Sequence, residues 1–284
     1  MNPEGLVQRF KASASPPIIY LRLNEEINHP DTSLARVGRI ISEDASLTAR
    51  LLRLVNSPFY GFPHRIGSIH EAVFLVGSRQ VRDLALVTTL MATFGTIPRD
   101  LIDTQSFWLH SLACGTASRL IARSMGKQEG ERFFLLGVMH DIGRIVMFNT
   151  EPIMSESILR RAAAENRSLT ELEHEVFGFT HTQVGRVLTE QWKLPVFLNE
   201  VVRCHHAPER AVSFPEEAAI VHAADILAHA VQLGASGEPL LPVLHRPSWE
   251  RLMVPVSSVE RLMREIHTET TAMAWLSSEE LTGA

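Results

Sequence analysis

Apolar residues recur along this chain at intervals of three and four, the spacing that gathers them on one side of an α-helix. No run of strict alternation bounded by turns interrupts the pattern. The sequence therefore predicts an all-α protein. Leu47, Leu51, Leu54 and Val55 form one such stripe after Asp44 and Ser46, both able to cap a helix start, and the stripe should end at Asn56-Ser57-Pro58. Further starts are marked by Ser68 with Glu71, Ser168 with Glu171, Thr180 with Gln183 and Ser257 with Glu260. Each pair has capping-box spacing, in which the two side chains satisfy free backbone N–H groups reciprocally. A last stripe, Val259, Leu262, Met263 and Ile266, followed by Met273, Ala274 and Trp275, predicts a final helix packed on the second half of the chain.

The helices divide into two lobes, residues 1–100 and residues 101–284. The first is a bundle of short helices from about Pro16 to about Phe94, joined to the second through Gly95 to Asp103, a stretch containing Pro98. A chain of 284 residues with 45% hydrophobic content can bury a core. Its net charge of −5 comes from interspersed acids and bases, which gives no overall field for nucleic acid or for an anionic membrane surface. Two cysteines, Cys114 and Cys204, are too few for a disulfide framework, and no stretch has the length and apolarity of a membrane span. A soluble cytoplasmic protein is expected, with no nucleic-acid and no membrane partner.

Against this background seven residues stand out: His110, His140, Asp141, His181, His205, His206 and Asp225, each on or beside a predicted helix. Imidazole and carboxylate hold ions such as Zn, Fe or Mn, so the set could converge on a metal. Phe133, Leu136, Gly137 and His140 fall at offsets of zero, three, four and seven, which turns His140 inward with the apolar face. Asp225 sits in the small, apolar stretch Val221 to Leu227, where a buried carboxylate is costly unless paired or bound to a cation. His181 follows the Thr180 cap. His205 and His206 end a helix before Pro208, and there an imidazole could simply interact with the helix C-terminus. His222 and His229 share a helix face with Asp225 and are read as structural partners or surface residues.

The first lobe contributes a resemblance. Pro16-Pro17-Ile18-Ile19 with Leu23, then Ile41-Ser42-Glu43-Asp44-Ala45-Ser46-Leu47-Thr48, then Leu51 through Asn56-Ser57-Pro58-Phe59-Tyr60-Gly61, resemble an HDOD domain. The match continues through Ile66, Ser68, Ile69, Ala72, Val73, Leu75, Val76 and Gly77. In the second lobe Gly137-Val138-Met139-His140-Asp141-Ile142-Gly143 resembles the signature of the HD superfamily of metal-dependent phosphohydrolases, with the other ligands in family order. The resemblance implies an HDOD lobe followed by an HD-like lobe in a bacterial signalling or regulatory protein. Such a protein would act as a binding scaffold, with a signalling protein as partner, and its pocket would take a divalent metal or a nucleotide or other phosphorylated ligand. The full set would suffice for two cations, in the manner of the cyclic-di-GMP phosphodiesterases with an HD-GYP domain.

Two departures favour binding over turnover. Arg144 stands where active HD-GYP enzymes usually have lysine, and a guanidinium does not exchange protons in the usual range. After His205-His206 the chain reads Ala207-Pro208-Glu209-Arg210, without a Gly-Tyr-Pro motif. The alternative is a metal-dependent phosphohydrolase using the same ligands. The loop Asn56 to Gly61 carries two expectations: a turn that fixes an interhelical angle, or a small partner-binding surface presented by Asn56, Phe59 and Tyr60.

Overall fold

A computed structural model describes residues 1–11, 17–94, 97–98 and 101–277, and among them every regular element is helical. Part of the expected connection between lobes, residues 95, 96, 99 and 100, lies outside the described residues, as does Pro16. The helices are α1 (Pro3–Lys11), α2 (Ile18–Ile27), α3 (Leu34–Ser42), α4 (Ala45–Val55), α5 (Ile69–Val76) and α6 (Ser78–Thr93). There follow α7 (Thr104–Ser124), α8 (Gly130–Met139), α9 (Ile142–Thr150), α10 (Pro152–Glu165) and α11 (Leu169–Phe177). The chain continues with α12 (His181–Gln191), α13 (Val196–Cys204), α14 (Pro215–Val231), α15 (Arg246–Leu252) and α16 (Val259–Met273).

Local chemistry sets several of the starts. The Asp44 side chain accepts from Leu47 N at 2.9 Å, and Asp103 accepts from Ser106 N at 2.7 Å. Thr180 and Gln183 make the full capping box that their spacing predicts. Ser68 accepts from Glu71 N, but the Glu71 carboxylate takes the N–H of Gly67 rather than that of Ser68. Two expected boxes do not form. At Ser168 the free N–H of Leu169 is taken instead by Glu238, 69 residues on, at 2.9 Å. At Ser257 a 3-10 turn over Val256–Ser258 precedes α16, so Ser258 becomes the terminal residue, and its hydroxyl donates back to Pro255 O.

The stripe Leu47, Leu51, Leu54 and Val55 is fully buried, and one continuous apolar core runs from Leu6 to Leu276. Helix α1 lies against α9 and α12, with Leu6, Val7 and Phe10 buried. The α16 stripe packs on α7 as its pattern predicts, while Trp275 receives the guanidinium of Arg53 at 4.1 Å. Within the Asn56 to Gly61 loop Ser57 and Phe59 are buried, Tyr60 is half-buried, and Asn56, Pro58 and Gly61 are exposed. Asn56 donates to Leu52 O and Ile66 O and accepts from Ile66 N, and the Phe59 ring meets Phe134 at 5.0 Å while Arg119 stacks over it at 3.7 Å. Phe59 is 3% exposed, so in this structure its ring joins the lobes and presents no surface to a partner.

Two glycine crossings bring the second-lobe helices together. A Cβ on Gly137 of α8 would lie 2.5 Å from the Cys114 carbonyl oxygen of α7, so these helices touch backbone to backbone. A Cβ on Gly143 of α9 would lie 2.0 Å from the His181 carbonyl oxygen, at the start of α12. The glycine trailing the His-Asp pair is thus a steric requirement of α9 meeting α12. Gly143→Ala should cost about 1–3 kcal/mol or more through overpacking, and should weaken metal binding by displacing His181. Thermal unfolding and metal titration of the variant check this.

Candidate metal centre

All seven expected ligands arrive at one place, each by a different local device. His110 projects from α7, and His140 and Asp141 form the corner between α8 and α9. The Asp141 side chain makes no capping bond to α9, which leaves both of its oxygens for the centre. His181 is the first residue of α12, where the capping box fixes the backbone behind it. His205 closes α13, His206 follows, and Asp225 lies in the middle of α14.

The ligand atoms form two groups. Asp141, His181, His205 and His206 make one, and His110, His140 and Asp225 the other, with the ligand atoms of each group all within 4.8 Å of one another. Asp141 stands between the groups. Its Oδ1 lies 3.1 Å from His181 Nε2 and 3.6 Å from His205 Nε2, while its Oδ2 lies 3.5 Å from His140 Nε2. Asp225 Oδ1 lies 3.3 Å from His110 Nε2 and 3.5 Å from His140 Nε2.

Hydrogen bonds on the far side of the rings set their orientation. His140 Nδ1 is 2.7 Å from Gly137 O, and His205 Nδ1 is 2.9 Å from Val202 O. A carbonyl can only accept, so in both rings Nδ1 carries a hydrogen and Nε2 is the atom turned to the centre. His181 Nδ1 meets Glu173 at 2.6 Å, the carboxylate–histidine arrangement that orients metal-binding imidazoles.

The donor set fits a cation. His110 Nε2, His140 Nε2, Asp141 Oδ1, His206 Nε2 and Asp225 Oδ1 are buried without a hydrogen-bond partner among the described residues. Each such atom costs about 1–3 kcal/mol when left unsatisfied, and these five face a common space. The protonation pattern divides the set: burial disfavours a proton on His140, but Cys114 and Asp141 more than offset it and raise its pKa well above the usual imidazole range, so a cation would have a proton to displace there. Burial lowers the pKa of His110 and of His206, and brings His205 down to about 4, so these rings are neutral donors. Burial would raise Asp141, but Arg144 first and then His140 and His181 hold its carboxyl well below the usual range. Asp225 is likewise lowered against the effect of burial, by the neighbouring His110, His140 and His229 rings. The cluster can therefore hold a metal.

Several residues that support the centre lie outside the set read from the sequence. Glu173 is 1% exposed and takes both the ring N–H and, at 2.9 Å, the backbone N–H of His181. The chain does carry a signal for it: Leu169, Leu172, Glu173 and Phe177 fall at offsets of zero, three, four and eight, which places a carboxylate in an apolar stripe. His229 Nδ1 approaches Asp225 Oδ1 at 3.1 Å, and His222 holds the His205 carbonyl, so both act as structural partners. Arg144 is fully buried and committed. Its Nε lies 3.5 Å from Asp141 and 3.6 Å from Glu173, and Nη1 donates to the carbonyl and hydroxyl of Ser236, with Glu238 nearby at 3.9 Å. Ser236 and Glu238 lie in the segment between α14 and α15, about ninety residues from Arg144, beyond the reach of local pattern. Cys114 and Cys204 are buried thiols whose pKa burial raises.

Glu173→Gln keeps the volume and removes the charge behind His181. It should weaken metal affinity about 10- to 100-fold with all seven ligands retained, as read by competition with a chromophoric chelator. Burial disfavours a proton on His181 but Glu173 more than offsets it, so a cation must displace that proton. Metal binding should release protons and weaken as pH falls through the raised His181 pKa, which lies above the usual imidazole value, measurable by calorimetry in buffers of different ionisation heat.

The chain matches the HDOD domain family over residues 14–208. A curated relative, an uncharacterized protein of Treponema pallidum (strain Nichols), is 27% identical over 199 residues, which are 68% of this chain and 38% of that protein. The chain thus spans well under half of that relative's length. Among solved structures, an HDOD domain protein of unknown function from Geobacter sulfurreducens aligns with a TM-score of 0.75 at 24% identity, covering 97% of each chain. A candidate phosphohydrolase from Shewanella amazonensis SB2B aligns at 0.75 and 21% identity, covering 96% of this chain and 98% of that one. A candidate signal transduction protein from Marinobacter aquaeolei VT8 aligns at 0.72 and 20% identity, covering 93% and 59%. At these identities the structures establish the helical fold. With more than half of its length matched by the family, the chain belongs to the HDOD domain family.

Proposed function

We propose that this chain is a regulatory HDOD protein of bacterial signal transduction, a binding scaffold whose HD-type centre holds divalent cations as part of a recognition pocket. The carrying observation is the commitment of Arg144. Where the resembled HD-GYP enzymes usually have lysine, here a guanidinium that does not exchange protons in the usual range braces Asp141 and Glu173 against the segment bearing Ser236 and Glu238. The name of the Marinobacter relative agrees with a signalling role. Asp141 and Asp225 would hold the cations together with His110, His140, His181, His205 and His206. When bound, the cations would supply positive charge for the phosphate of a nucleotide or other phosphorylated ligand.

A second reading, a metal-dependent phosphohydrolase, has one observation in its favour. His206 and His222 line a surface pocket of about 440 Å³ with Arg167, Ser168, Glu238 and Leu241, so one side of the centre opens to solvent. The name of the Shewanella relative agrees with it. Elemental analysis after reconstitution with Mn or Fe, combined with assays on cyclic and linear phosphodiesters, separates the two. The regulatory reading expects bound metal in the wild type, its loss in Asp141→Ala, and no metal-dependent turnover. Turnover that disappears with Asp141→Ala would establish the hydrolase instead.

A further inference from the structure

A second cleft, of about 400 Å³, opens between the lobes away from the metal centre. Its first-lobe wall carries Arg79, Arg82 and Asp83 of α6, and its second-lobe wall carries Arg132 of α8 with Lys193 and Phe197 around the start of α13. With Glu129 included, the charged lining counts four cations against two carboxylates in a chain whose net charge is −5. Two of these cations are already used. Arg82 pairs with Asp83 at 2.7 Å and donates to Asn24, and Arg132 pairs with Glu217 at 2.8 Å and with Glu129. Arg79 and Lys193, on opposite walls, are exposed and have no side-chain partner among the described residues.

The backbone adds to this field. Helices α6, α8 and α13 all begin at the cleft, and none of the three has a side-chain cap on its first N–H groups. Uncapped helix starts favour negative charge. The cleft also offers a ring. Phe197 is half-buried beneath the Arg132 guanidinium, which sits 4.3 Å from its centroid, a cationic and aromatic wall suited to stacking a flat heterocycle.

We propose that this interlobe cleft binds a nucleotide, with its phosphates between Arg79 and Lys193 and its base against Phe197 and Arg132. Such a ligand clamps one lobe to the other. It also lies at the head of α8 and α13, the two helices whose far ends deliver His140 and His205 to the metal centre.

The test is titration of the full chain with fluorescent ATP and GTP analogues, with inorganic phosphate and pyrophosphate as ringless probes. The variants are Arg79→Glu with Lys193→Glu, Phe197→Ala, and Asp141→Ala. Both reversed cations are exposed, so circular dichroism and metal content should match the wild type. The expected result is saturable nucleotide binding that weakens tenfold or more in the double reversal and several-fold in Phe197→Ala, persists in Asp141→Ala, and exceeds pyrophosphate binding. Absence of nucleotide binding, insensitivity to the double reversal, or equal affinity for pyrophosphate would overturn the proposal. Loss of binding in Asp141→Ala alone would assign the nucleotide to the metal centre and overturn it equally. Because Asp141→Ala spares this cleft, its failure is distinguishable from failure of the metal reading.

Discussion

Burying two carboxylates and five imidazoles among apolar helices is the constraint on which the second lobe is built. Polar atoms without partners in such an interior cost more than a marginally stable fold can spare, and Asp141, Asp225, His110, His140 and His206 all contribute one. Cations held by the two groups would satisfy them together. The Nδ1 hydrogen bonds that His140, His205 and His181 donate to Gly137 O, Val202 O and Glu173 turn the three Nε2 atoms inward toward the centre.

That convergence depends on backbone contact. The α7–α8 crossing at Gly115 and Gly137 sets His110 beside His140, with ring centroids 5.5 Å apart. The α9–α12 crossing at Gly143 and Gly185 sets Asp141 beside His181. Arg144 then ties the centre to the segment carrying Ser236 and Glu238, and Glu238 in turn caps α11, which supplies Glu173. Arg144 is thus a structural strut between the ligand set and a distant segment of chain.

Much of this is legible in the chain, for physical reasons that differ by residue. The helical period exposes α4 and the inward turn of His140, because burial selects apolar residues at three- and four-residue spacing. His140 and Asp225 are legible because an imidazole or carboxylate in an otherwise apolar helix is costly to bury unless it is paired or bound to a cation, and the remaining ligands through the resemblance to the HD ligand order. Ser168 shows the limit: its capping partner is Glu238, and a bond across 69 residues leaves no mark on local spacing. Phe59 shows another, since the spacing of a turn favours a structural role for its aromatic but does not name the contacts, here Phe134 and Arg119 from distant helices. Glu173 lies between these cases, its place in an apolar stripe masked by the capping spacing of Ser168 and Glu171.

Everything in the second lobe turns on what occupies the space between Asp141 and Asp225. Anomalous diffraction from crystals of chelator-free protein, recorded at the Mn, Fe and Zn edges, tests it most directly. Metal density is expected inside the ring of seven side chains, with one site among Asp141, His181, His205 and His206 and another among His110, His140 and Asp225. Ordered water alone among those side chains, after reconstitution with each metal, would contradict a metal centre.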